Sequence, residues 1–284
     1  MAEAKGPKGG GGKAVPQGST TRLAKLGGLA AGVMGGMAAE GARRLAAGER
    51  PDLRRMLLTP ANAARVADRL AEMRGAAMKV GQLLSMEAGD LLPPELTEIL
   101  SRLRAEARPM PGRQLKQVLT AEWGAGFLRK FDRFDVTPVA AASIGQVHRA
   151  RTKDGRDLAV KVQYPGVRAS IDSDVNNVAT LIRLSGLAPD GFDVARLLDE
   201  AKRQLHEEAD YRREAAQMAR FHALLGDDPA FELPEPADDL CTDNLLAMTF
   251  LEGRPIESAE TLPQEDRDRI AAALLALALR EVLD

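Results

Sequence analysis

Metal-binding and sulfur chemistry have little to draw on in this chain, which holds three histidines and one cysteine. A single cysteine cannot form an intrachain disulfide, which suits a reducing compartment. Cys241, in "DDLCTDNLLAMTF", reads as a buried small hydrophobe, not a nucleophile. His148, His206 and His222 do not sit at ligand spacing with it, so no metal ligand is assigned. Aromatic residues make up only 4%, so the core must rest on Leu, Val, Ile, Ala and Met. The net charge of -2 gives no whole-chain footprint for nucleic acid. Long hydrophobic runs are missing too. The apolar stretch Leu26–Ala39 is well short of the ~20 residues that span a bilayer. The first residues lack the apolar core of a secretory signal.

What is present suits one large domain, or one domain with an appendage: 284 residues, 45% hydrophobic and 28% charged. Residues 1–21, rich in Gly and Lys, read as a disordered tail. Over residues 22–50, Gly28, Gly32 and Gly36 recur every fourth position in an apolar run flanked by Lys25 and Arg43–Arg44. Small-xxx-small spacing allows membrane contact or close pairing of two copies; a flexible linker explains it equally well.

Residues 55–125 read as a helical extension. Thr59 and Pro60 form a helix start, and Val66, Leu70, Met73, Ala77, Val80 and Leu84 follow as one apolar seam. Beside that seam, "MKVGQLLSM" places Lys79 and Gln82 three apart, as surface neighbours. Gly81 in mid-helix costs roughly 1 kcal/mol relative to alanine, which suggests close packing there. An ordinary polar helix edge is the plainer account of Lys79 and Gln82.

From about residue 126 the period changes to that of strands. "KFDRFDV" and "QVHRARTKDGRDLAVKVQ" read as three strands, the last two joined by a tight Asp154–Gly155 turn. Helices are expected at 166–186 and, as one long element, at 193–225. Two short strands are expected within 231–251 and a last helix from 263 on, so 126–256 forms a small sheet unit and 257–284 begins a helical lobe. The fold class is α+β.

Lys161, in "LAVKV", lies on a strand face with Ala159 and Gln163. A lysine there reaches nucleotide phosphates if an acid on a neighbouring helix holds it. The helix offers Glu207, Glu208, Asp210 and Glu214, although a solvated acidic face would also account for them. The loop "AAASIGQV" sits where a phosphate loop would, but with one glycine. Gly145 allows one unusual backbone conformation where glycine-rich loops use several, and Ala142 keeps β-carbon bulk at the approach.

In order along the chain, Lys79-x-Gly81-Gln82, Ala140–Ala142 with "SIGQVH", "AVKVQYPGV", and Glu208-x-Asp210-Tyr211-x-x-Glu214-Ala215 resemble the UbiB/AarF family of atypical kinase-like proteins. The resemblance covers about residues 55–284. It implies a protein-kinase-like N-lobe whose helical extension lies over the active site, with Lys79 and Gln82 reaching into it beside Glu208 and Asp210. It implies ATP or ADP as ligand, held at Ala140, Ala141, Ala142, Ser143, Ile144, Gly145, Gln146, Val147 and Lys161, with Glu214 or Glu208 as the lysine's partner. "AMTFLEGRP" matches the strand and hinge that would contact adenine through backbone groups at Thr249, Phe250 and Leu251. Thr249 stands where an acid is often found.

The same resemblance implies support of coenzyme Q (ubiquinone) biosynthesis by a cytoplasmic, peripherally membrane-associated ATPase or unusual kinase. Its partners would be nucleotide, membrane lipid or a quinone precursor, and proteins of that biosynthesis, but no nucleic acid. Mg²⁺ is expected from ligands that the family places after the last helix seen here. The chain therefore reads as truncated and inactive alone. A non-catalytic lipid- or protein-binding scaffold, or an incomplete fragment, are the other readings.

Overall fold

A computed structural model describes residue 35 and residues 73–88, 109–185, 193–226 and 228–283. Thr59, Pro60, Val66, Leu70 and nearly all of segment 22–50 lie outside them. In chain order come α1 (Arg74–Ala88), α2 (Gly112–Trp123), a short 3₁₀ turn (Phe127–Lys130), β1 (Phe131–Phe134), β2 (Ala140–Ala141), β3 (Gly145–Thr152) and β4 (Asp157–Gln163). Then follow α3 (Val167–Ser185), α4 (Val194–Glu208), α5 (Tyr211–Leu225), β5 (Leu245–Thr249) and α6 (Gln264–Leu283).

The strands form one antiparallel sheet in the order β1-β3-β4-β5, with β2 paired to β3. Lys161 stands opposite Val147 on one side and Leu246 on the other; Ala159 stands opposite Arg149 and Met248. Because directly opposed residues share a face, this register divides the sheet sharply. His148, Leu158, Val160, Val162, Leu245 and Ala247 form the buried face. Val147, Arg149, Ala159, Lys161 and Met248 lie half-buried on the other face, beside the buried Leu246 and Gln163.

The buried face packs into the same core as α2, through Leu115 and Leu119, and an aromatic group of Trp123, Phe127, Phe131 and Phe134. The few aromatics of the chain are concentrated here. Trp123 is pinned by donating its indole N–H to the Leu240 carbonyl (3.0 Å). Cys241 is buried and its thiol faces the Ala247 carbonyl, so its reading as a small hydrophobe holds.

A buried polar relay crosses this core. The Met110 amide donates to Gln146 Oε1 (2.7 Å), Gln146 Nε2 donates to His148 Nε2 (2.8 Å), and His148 Nδ1 donates to the Asp135 carbonyl (2.7 Å). The chain of donors fixes a neutral tautomer with Nδ1 protonated. Burial pushes the His148 imidazole below its ordinary value, although its bond to Asp135 works the other way. In the pH window below about 6.5 the unfolded chain therefore binds the proton more readily than the folded one. Stability from this group is complete above that pH and is lost as the pH falls. Urea denaturation between pH 7 and 5 should show stability falling, and His148→Gln should flatten that dependence. An equal slope in both proteins would show that another group sets it.

Three expectations need correction. The helix expected over 193–225 is two helices, because the backbone leaves helical geometry at Asp210 (φ -94°, ψ 84°), which caps α5 by accepting from the Arg213 amide (3.0 Å). The two strands expected within 231–251 are one, β5. Its neighbour is a 3₁₀ turn at Asp238–Leu240 and a lone bridge from Pro236 to Met248. The Asp154–Gly155 turn is a three-residue loop closed by Thr152 and Arg156, with Gly155 at φ +92°.

The apolar seam of α1 stands as expected: Met73, Ala77, Val80 and Leu84 are buried, as is Gly81. This seam packs against α3 and α4, while α5 lies against β5.

Candidate functional site

The half-buried face of the sheet, the β2–β3 loop, the body of α1 and the facing ends of α4 and α5 bring five polar residues together. Lys161 donates to both carboxylate oxygens of Glu214 (2.9 Å each), from the first turn of α5. Its ammonium also lies over the Tyr211 ring, 5.0 Å from the centroid. Lys79 of α1 pairs with Glu208, the last residue of α4. The Ser143 hydroxyl donates to the other Glu208 oxygen at 2.5 Å. The choice between Glu208 and Glu214 is thus settled for this conformation: Glu214 holds Lys161, and Glu208 holds Lys79.

The helix break explains how two acids six residues apart serve two lysines. In an unbroken helix their directions would differ by about 120°. With the break, each starts from its own helix. Asp210, expected beside Glu208 in the site, supplies the N-cap that makes α5 begin.

The loop between β2 and β3 is tighter than a glycine loop. Ala140 pairs with Val147 and Ala141 with Gln146, and the Ala142 amide donates to the Gly145 carbonyl (2.9 Å). Only Ser143 and Ile144 remain at the turn. Ile144, Gly145 and Gln146 are buried, Ala140 and Ala141 are exposed, and Ala142, Ser143 and Val147 lie between. Gln146 is committed to the core relay.

Gly145 does not carry the unusual backbone conformation expected of it, since the described positive-φ glycines are Gly124, Gly155 and Gly166. Its role is space. A β-carbon there would sit 2.4 Å from the Val162 carbonyl oxygen and 3.1 Å from the Tyr211 hydroxyl. Helix α1 presses on the same loop: a β-carbon at Gly75 would meet Ile144 Cγ2 and the Ser143 carbonyl at 3.1 Å.

At the far edge of the face, the Thr249 amide donates to the Glu235 carbonyl and the Phe250 amide to the Asp157 carbonyl, both at 2.9 Å. These two donors are spent inside the protein. The Leu251 amide makes no such bond among the described residues. Phe250 is covered by the Arg149 guanidinium, 4.1 Å from its ring centroid, which Asp157 also holds. Gln82 is exposed and stands outside the ion-pair cluster.

Two residues of the site escaped the sequence reading. Met248 needed the β4–β5 register, and Tyr211 needed the helix break.

A small antiparallel sheet carrying a lysine, with a carboxylate from an adjacent helix on that lysine, defines a kinase-like N-lobe. The chain belongs to the ABC1 atypical kinase-like domain family, which matches residues 102–284. It is 43% identical over 268 residues to "Atypical kinase COQ8, mitochondrial" of Saccharomyces cerevisiae, covering 94% of this chain and 54% of that protein. It is 39% identical to "Atypical kinase COQ8B, mitochondrial" of Danio rerio, covering 95% of this chain and 44% of that protein. The chain thus spans about half the length of these relatives. A solved Mycobacterium tuberculosis structure, Rv3197 with erythromycin, is 34% identical at a TM-score of 0.46, covering 70% of this chain and 51% of that one.

Proposed function

We propose that this chain carries the nucleotide-gripping lobe of an atypical kinase or ATPase that supports coenzyme Q biosynthesis. The observation that carries the reading is Lys161, fixed by both oxygens of Glu214 on the half-open face of the sheet. Val147, Ala159 and Met248 offer that face a small apolar bed beside the lysine. The fit to ATP or ADP follows from chemistry: an apolar shelf for a base, a hinge amide at Leu251, and an ammonium for phosphate oxygens.

In this reading Lys161 contacts phosphate while Glu214 keeps it pointed along the face. Ala142 limits how closely phosphate approaches the loop. The Lys79–Glu208–Ser143 contacts tie the helical extension to that loop and cover the entrance. Bound Mg²⁺ would neutralise phosphate charge. Among the described residues, no cluster of three His, Cys, Asp or Glu is arranged to hold a metal ion.

Peripheral membrane contact through residues 22–50, partners among coenzyme Q biosynthesis proteins and pairing of two copies belong to the same proposal. The likeness to mitochondrial atypical kinases supports it. Among the described residues no helix is long and apolar enough to cross a membrane.

Thermal melting with added nucleotide tests the binding reading. ATP and ADP should raise the melting temperature saturably, by an amount equal to about 2.7 kcal/mol of stabilisation at a hundredfold excess over Kd. Melting curves indifferent to both nucleotides would favour the scaffold reading.

A further inference from the structure

We propose that Gln163 is a positioning residue: by capturing the Ala209 carbonyl it ends α4, and that break delivers Glu208 to Lys79 and Glu214 to Lys161. Its consequence for phosphate contact rests on the function proposed above, whereas the positioning does not.

In a continuous helix the Ala209 carbonyl would accept from the amide of Arg213, four residues on. Here that amide donates to Asp210 Oδ1 (3.0 Å), and the Glu214 amide takes the Asp210 carbonyl (3.0 Å). The Ala209 carbonyl is left without a helical partner. Ala209 is fully buried, so water cannot serve it. Gln163 Nε2 donates to it at 2.7 Å. Two side chains therefore divide the hydrogen bond a continuous helix would make: Asp210 takes its donor and Gln163 its acceptor.

The position of Gln163 makes this coupling direct. It is two residues from Lys161 on β4, on the same face by strand alternation. One strand thus carries both the lysine and the group that decides where the lysine's acid begins its helix. The break also makes Tyr211 the first residue of α5, with its ring under the Lys161 ammonium.

Gln163 is 2% exposed, and its Oε1 is buried without a hydrogen-bond partner. An amide that only filled space would be better replaced by an apolar group. The amide's donors offset that cost, chiefly through the 2.7 Å bond to Ala209 and secondarily through a longer one to the Asp243 carbonyl (3.5 Å).

Amine-reactive labelling of the whole 284-residue chain, read by mass spectrometry without nucleotide, tests the proposal. In Gln163→Leu, Lys161 and Lys79 should label severalfold faster than in the wild type, while exposed Lys116 on α2 is unchanged. In a Glu214→Gln background, where Lys161 has already lost its carboxylate, Gln163→Leu should add little at Lys161. A purely structural amide would instead lower the melting temperature and leave both lysines labelling as before. A folded Gln163→Leu protein with wild-type rates at Lys161 and Lys79 would overturn the proposal. Should Gln163→Leu fail to fold, Asp210→Ala, which removes the other half of the break, decides by the same readout. A parallel titration compares ATP with adenosine, and Gln163→Leu should weaken ATP alone. If the wild type binds neither, the nucleotide reading fails while the labelling still decides the role of Gln163.

Discussion

Replacing Lys161 by methionine is expected to lower ATP affinity by about 10- to 100-fold while leaving adenosine affinity nearly unchanged. The magnitude follows from one or two charge-assisted hydrogen bonds to phosphate, each worth about 1.5–3 kcal/mol at most. The selectivity follows from the face. Val147, Ala159 and Met248 are untouched by the substitution, so the apolar shelf for a base survives. Methionine keeps most of the lysine's apolar volume, which limits the change to the loss of charge. Isothermal titration with both ligands separates the two effects. ATP affinity equal to the wild type would remove Lys161 from phosphate contact. Equal losses for ATP and adenosine would mean that the face itself had collapsed.

The stability of the same variant carries separate information. Glu214 is one-third exposed in its side chain, against 17% for Lys161. A carboxylate so placed finds water when its partner is removed, so a large fall in melting temperature is not expected. Lost affinity would then report on phosphate contact alone.

Much of this site was legible in the sequence because it rests on short-range patterns. Lys161 is placed by period-2 alternation, Lys79 by its position beside a helical seam, and the sheet by runs of alternating residues. The family resemblance added the order in which these meet. Tertiary geometry decided what the sequence left open. Glu208 and Glu214 could each have served Lys161 while 193–225 was read as one helix, since the helical period continues through Ala209. Nothing local announces the break except Asp210 as a cap. The other half of the break, Gln163, comes from a strand 46 residues earlier. The expected hinge is a similar case: the Thr249 and Phe250 amides are spent on Glu235 and Asp157, partners visible only once the strands are paired.

Gly145 shows the same limit and gives the largest expected effect on stability. As the lone glycine of an alanine-rich loop it invites a conformational explanation. Its surroundings give a steric one. In Gly145→Ala the new carbon would lie 2.4 Å from the Val162 carbonyl oxygen, a backbone atom of a central strand that cannot swing away. The loop or β4 must move, at a cost of about 1–3 kcal/mol, as for other overpacked cores. In a domain of this size that lowers the melting temperature by roughly 2–4 °C for each kcal/mol. Gly253→Ala is the control, since nothing lies within 4 Å of its added carbon, and it should stay within about 0.5 kcal/mol of the wild type. A Gly145→Ala protein that melts with the wild type would show that the β2–β3 turn yields freely. It would also return Gly145 to the conformational role that its backbone here does not require. If the loss is seen, the glycine is there so that β3 can lie against β4 and the Tyr211 hydroxyl.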